Sequence, residues 1–158
     1  MKRYSREQTS FLPVSITEAW QFVYSPENLS MLTPDYVDFA LSEISDGDII
    51  YPGRIFRYKV SILRVTVSWT SQISYVEAPF CFIDEQRSGP FSYWRHRHSF
   101  REVPAGVEIT DEVEYSLPPG IAGRLVHWLL VGRQLNSIFD YRCRVLSKHF
   151  TKQIRKPA

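Results

Sequence analysis

Apolar positions along this 158-residue chain follow two different periods. From Val37 to Leu117 they recur every second residue, the spacing that puts alternate side chains on one face of a β-strand. Val37, Phe39 and Leu41 alternate with polar neighbours, and Asp46-Gly47-Asp48 marks a turn. Phe56, Tyr58, Val60 and Ile62 share one face of the next strand; Val65, Val67, Trp69, Ser71 and Ile73 share one face of the strand after it. Further strands are predicted over residues 80–86, 93–103 and 107–117, closed off by Ser88-Gly89-Pro90 and Pro104-Ala105-Gly106. With residues 3–12 before Pro13 this makes about seven strands on short turns, hence an antiparallel sheet with sequential pairing.

Two short helices interrupt that pattern early. Ser15-Ile16-Thr17-Glu18 has the capping-box spacing, in which serine and glutamate satisfy backbone donors reciprocally. The helix it starts should bury Ala19, Trp20, Phe22 and Val23. Ser25-Pro26 is a second start, with Leu29 and Leu32 inward and Pro34 as the stop. After Pro118-Pro119-Gly120 a helical period takes over to about residue 151, with Leu125, Trp128, Leu129, Leu135, Ile138, Phe139, Val145, Leu146 and Phe150 on one stripe. A helix of about thirty residues is roughly 45 Å long. It can cross the whole sheet. The expected architecture is therefore a single α+β domain over residues 1–158, a curved antiparallel sheet around one long C-terminal helix, with 152–158 a loose tail.

Composition narrows the function classes. Charged residues are 23% and hydrophobic ones 44%, which is globular. The net charge, 19 − 17 = +2, argues against a nucleic-acid partner. Cys81 and Cys143 lack CxxC spacing, against a disulfide scaffold or zinc ribbon and in keeping with a reducing compartment. Residues 1–8 lack the apolar stretch of a signal peptide, and the longest apolar run, Leu125 to Val131 broken by His127, is too short to span a bilayer. A cytoplasmic protein is expected. The aromatic share is high at 15%, and large rings are common in the walls of ligand cavities.

Local sequence carries a resemblance. It lies in Phe82-Ile83-Asp84-Glu85-Gln86-Arg87-Ser88-Gly89-Pro90 running on to Trp94, His96, His98 and Phe100, and in Thr110-Asp111 through Tyr115 to Pro118. It continues in Arg133-Gln134-Leu135 and Phe139-Asp140-Tyr141-Arg142, and in Leu32-Thr33-Pro34 closing the second short helix. These stretches resemble bacterial SRPBCC proteins of the polyketide cyclase/dehydrase group, related to START and birch-pollen-allergen-like proteins. The resemblance implies a helix-grip fold, a cavity between sheet and long helix, and a hydrophobic or amphipathic ligand. It transfers no catalytic set.

The chemistry-bearing residues are read from strand alternation. Trp94, His96, His98 and Phe100 share one face of their strand, and Val107, Ile109, Asp111, Val113, Tyr115 and Leu117 one face of the next. Both histidines and Asp111 should therefore face the concave side, where a carboxylate needs a partner. Asp84 joins them if Phe82, Asp84 and Gln86 point inward, but Cys81 and Ile83 on the other face are apolar as well. Two readings stay open: an acid/base dyad moving protons on a substrate, or a polar network that pins the pocket wall. His96 and His98 with one carboxylate could chelate an ion, but the spacing supplies no clear third and fourth ligand, so no metal and no cofactor are expected. Arg142, at the edge of the helical stripe, could reach an inward carboxylate or snorkel past the rim.

The function expected is binding of a small hydrophobic ligand by Phe56, Tyr58, Trp69, Asp84, Trp94, His96, His98, Asp111, Tyr115, Phe139 and Arg142. Two alternatives accompany it: a cyclase- or dehydratase-type enzyme using His96, His98 and Asp111, and a protein-interaction module with a vestigial cavity. A homodimer is compatible with all three.

Overall fold

Side-chain alternation organises the sheet. The computed structural model describes residues 2–44, 49–62, 64–118 and 131–154, with the backbone alone for Ile62 and residues 152–154. Seven strands form one antiparallel sheet: β1 (Tyr4–Leu12), β2 (Ala40–Ile44), β3 (Ile55–Ile62), β4 (Val65–Glu77), β5 (Cys81–Ser88), β6 (Tyr93–Val103) and β7 (Gly106–Ser116). Their order is β1-β7-β6-β5-β4-β3-β2. Sequential pairing thus holds from β2 to β7, but β1 is a correction: it pairs with β7 instead of β2, because the short helices carry the chain from one edge of the sheet to the other. The chain crosses between the two edges through α1 (Ile16–Tyr24), α2 (Pro26–Leu29) and a 3₁₀ turn (Asp35–Val37).

Val37 is a correction. It belongs to that turn rather than to a strand, and the next residue, Asp38, is left-handed with φ 47°. Strand pairing begins at Ala40, opposite Lys59. The expected turn at 46–48 lies outside the described residues. Ser15 caps α1 by accepting from the Glu18 backbone N–H at 3.3 Å. Ser25 occupies the cap of α2, with Pro26 at the first turn, but its side chain makes no cap hydrogen bond.

The tight β6–β7 turn sits against the end of β1. A Cβ on Gly106 would meet the Leu12 carbonyl oxygen at 2.1 Å, so only glycine lets these backbones approach. Above this end Trp20 of α1 meets Phe82 and Phe100 edge-on at 5.5 and 5.2 Å, fixing the short helices over the sheet.

The long helix, α3 (Gly132–Ile154), lies across the concave face. At its start Gln134 donates to the Ser61 carbonyl on β3 (3.3 Å); further along, the Ser10 hydroxyl on β1 donates to Cys143 Sγ (3.2 Å). One helix touching strands near both edges requires the sheet to curl around it. Leu135, Phe139, Leu146 and Phe150 are buried as the stripe predicts; Leu125, Trp128 and Leu129 lie outside the described residues. The helix runs on to Ile154, past the end of that stripe. This is the expected helix-grip α+β fold.

Candidate functional site

Strand register brings four titratable side chains to one spot under α3. Asp84 on β5 is opposite His96 on β6, and His98 is opposite Asp111 on β7. β5 is apolar on both faces, with Cys81, Phe82 and Ile83 all buried, so alternation alone could not orient it; the pairing turns Asp84 inward.

The two imidazoles lie against each other, ring centres 3.9 Å apart, between the two carboxylates. His98 Nε2 is hydrogen-bonded to Asp84 Oδ2 at 3.2 Å, and His96 Nδ1 is 3.6 Å from the same oxygen. On the far side His98 Nδ1 and His96 Nε2 lie 2.6 and 3.3 Å from Asp111 Oδ1. These contacts are close but poorly aligned, and both nitrogens and Asp111 Oδ1 lack a well-formed hydrogen bond. Arg142 reaches the other Asp111 oxygen, Nε to Oδ2 3.2 Å, so it does meet an inward carboxylate.

Burial and charge act against each other here. Burial pushes Asp111 up, but Arg142 and the two imidazoles hold its carboxyl well below the usual range. Asp84 is likewise raised by burial and brought below its ordinary value by the hydrogen bond from His98 and the charge of His96. The histidines part company. Burial, with the neighbouring His98, lowers His96; for His98 burial is outweighed by its contacts to Asp111 and Asp84, and the net shift is upward.

Two apolar chambers meet at this cluster. The first, about 180 Å³, lies between β3–β4–β6 and α3, with Val37, Phe39, Val60, Trp69, Leu135 and Phe139 in its wall. The second, about 130 Å³, lies toward α1, with Val23, Ile50, Phe56, Ile73, Phe82, Asp84 and His98 in its wall. Leu29, Tyr58, Trp94, His96 and Arg142 line both.

Nine of the eleven expected ligand residues thus face one chamber or the other. Asp111 and Tyr115 line neither, which corrects their place in the pocket wall. Asp111 sits behind the imidazoles. Tyr115 packs into the core against Tyr4 (5.6 Å) and Phe91, and burial pushes its hydroxyl up to about 12. Sequence reasoning turned Leu29 and Leu32 inward but left them and Thr33, at the end of α2 and just after it, out of the ligand wall, and it missed the role of Ser71. Ser71 is contacted by Tyr58 Oη (3.1 Å) and by Trp69 Nε1 (3.2 Å), and it donates to Asp84 Oδ1 (3.3 Å). Its place among the inward residues of β4 is the one available signal.

A family model described as polyketide cyclase / dehydrase and lipid transport matches residues 12–139. A search of curated proteins finds no match. Among solved structures, the Zhui aromatase/cyclase from Streptomyces sp. R1128 superimposes with a TM-score of 0.72 at 13% identity, covering 98% of this chain and 97% of that one. The protein TTHA0849 from Thermus thermophilus gives 0.71 at 12%, covering 96% and 99%. The major latex-like protein 151 of Panax ginseng gives 0.67 at 10%, covering 94% and 97%. At these identities the likeness is one of fold.

Proposed function

The chain belongs to the polyketide cyclase / dehydrase and lipid transport family, and on that premise we propose that it binds a small, flat, amphipathic ligand across its two chambers. The observation that carries this reading is the junction: apolar space on either side of His96, Tyr58 and Arg142, with the polar groups concentrated where the chambers meet. An apolar cavity of about 150 Å³ is enough to take up benzene. Each chamber therefore suits roughly one ring or a short chain, and a polar substituent between them would face His96. That size favours an aromatic or polyketide-like molecule over a diacyl lipid. Phe39, Tyr58, Trp69, Trp94 and Phe139 supply flat surfaces for such a molecule.

The reading is tested by titrating bicyclic phenols and their deoxy analogues into the protein and following tryptophan fluorescence, since Trp69 and Trp94 line the first chamber. Saturable quenching is expected, stronger for the phenol, and reduced by Trp69→Ala. No saturation by any bicyclic probe, or an equal response in the variant, would sink it.

Turnover of the bound molecule is a second reading, favoured by the position of His96, in contact with both carboxylates and lining both chambers. His96→Gln separates the two. A carrier keeps its chemistry-free binding, whereas an enzyme loses conversion of the ligand while still holding it.

A further inference from the structure

We propose that Asp84, His96 and His98 bind one divalent first-row transition-metal ion. Asp84 Oδ2 lies 3.2 Å from His98 Nε2 and 3.6 Å from His96 Nδ1, and one ligand atom from each of the three residues falls within 4.8 Å of the others. Nitrogen and oxygen atoms bound tetrahedrally at about 2.0–2.2 Å stand roughly 3.3–3.6 Å apart. Small rotations of the side chains would seat an ion among them.

The surroundings favour this side of the imidazoles. Their remaining nitrogens, His96 Nε2 and His98 Nδ1, both turn to Asp111 Oδ1. A carboxylate behind each histidine ligand fixes its tautomer and raises its basicity. Asp111 is unsuited to bind the ion directly, because its second oxygen is held by Arg142 and it lines neither chamber. Ser71 donates to Asp84 Oδ1 and so leaves Oδ2 for the ion.

All three ligands line the second chamber, so a coordination position opens into it. Two imidazoles, one carboxylate and an open position suit Zn²⁺ or Fe²⁺ and give a polar group of a bound molecule something to coordinate. The sequence offers two ligands on β6; the third comes from the neighbouring strand. Metal binding is read on the protein alone, so its failure leaves the organic-ligand reading standing, and the reverse also holds.

The test is titration of metal-free full-length protein with Co²⁺, followed by its visible d–d absorption. Saturation at one equivalent is expected, lost in Asp84→Asn and His98→Gln, retained in His149→Ala, and weakened about 10–100-fold in Asp111→Asn. X-ray absorption of the Zn²⁺-loaded wild type should show two imidazoles in the coordination sphere. It decides the matter alone if the cluster variants fail to fold by circular dichroism. Absence of a saturable band, a band unchanged in folded Asp84→Asn, or coordination without imidazole would overturn the proposal.

Discussion

The two faces of the β6–β7 hairpin carry similar chemistry in opposite surroundings. Outward, Arg95 is opposite Glu114, Arg97 opposite Glu112 and Arg101 opposite Glu108. Inward, one residue along, the same ladder sets His98 opposite Asp111, with Arg142 coming down from α3. The Arg101 side chain is 73% exposed and that of Asp111 is 4% exposed. Water reaches the outer residues, which are exposed or half-buried, and can take over much of their contact. Nothing replaces those of the inner cluster, so each member depends on the others being present.

The sharpest way to break this comparison is Asp111→Ala. It leaves Arg142 buried with no carboxylate opposite and should cost about 3–5 kcal/mol in urea unfolding. A loss no larger than that of an outer pair would show the cluster to be hydrated and the contrast false.

A gentler measurement concerns the histidines in metal-free protein. Nitrogen-detected NMR should show His98 keeping its proton above the ordinary value of 6.5 and His96 giving its proton up below it. The signs for stability follow. His98 binds its proton more tightly when folded, so its stabilisation is present below about pH 6.5 and fades as pH rises through the folded value. His96 resists protonation when folded, so it takes stability away as pH falls below about 6.5. Superimposable titration of the two rings would contradict their different surroundings.

The smallest effect belongs to the outer face. Arg101→Ala should change stability by less than about 1 kcal/mol, and added salt should shrink the difference further. A larger, salt-insensitive loss would mean that the convex face is covered by something in solution.

Legibility in the sequence follows the same divide. β7 reads directly, because strict alternation of Val107, Ile109, Asp111, Val113 and Tyr115 with polar residues matches a strand buried on one face, and all five are buried. β5 does not, because both its faces are apolar and period-two reasoning then has no preferred side. The direction of Asp84 stays open in the sequence for that reason. Val37 misleads, since apolar alternation through Phe39 and Leu41 looks the same whether or not a left-handed Asp38 breaks the strand between them. For Arg142 helical spacing gives only a position near the edge of the stripe. Its target lies on β7, thirty-one residues earlier in the chain, and no local pattern connects the two.

The sequence by itself determined most strand and helix types, the sequential antiparallel pairing from β2 to β7 and the inward face of β6 and β7, but not the pairing of β1 with β7. These follow from local periods and short turns, which act over a few residues. Tertiary structure decided which carboxylates meet which imidazoles, that Asp111 stands behind the cluster while Asp84 faces the chamber, and that the aromatic rings leave space between them. Those outcomes depend on register between strands and on where α3 crosses the sheet. Both are set by packing among residues far apart in the chain, and a one-residue change of register would reverse which side chains face inward.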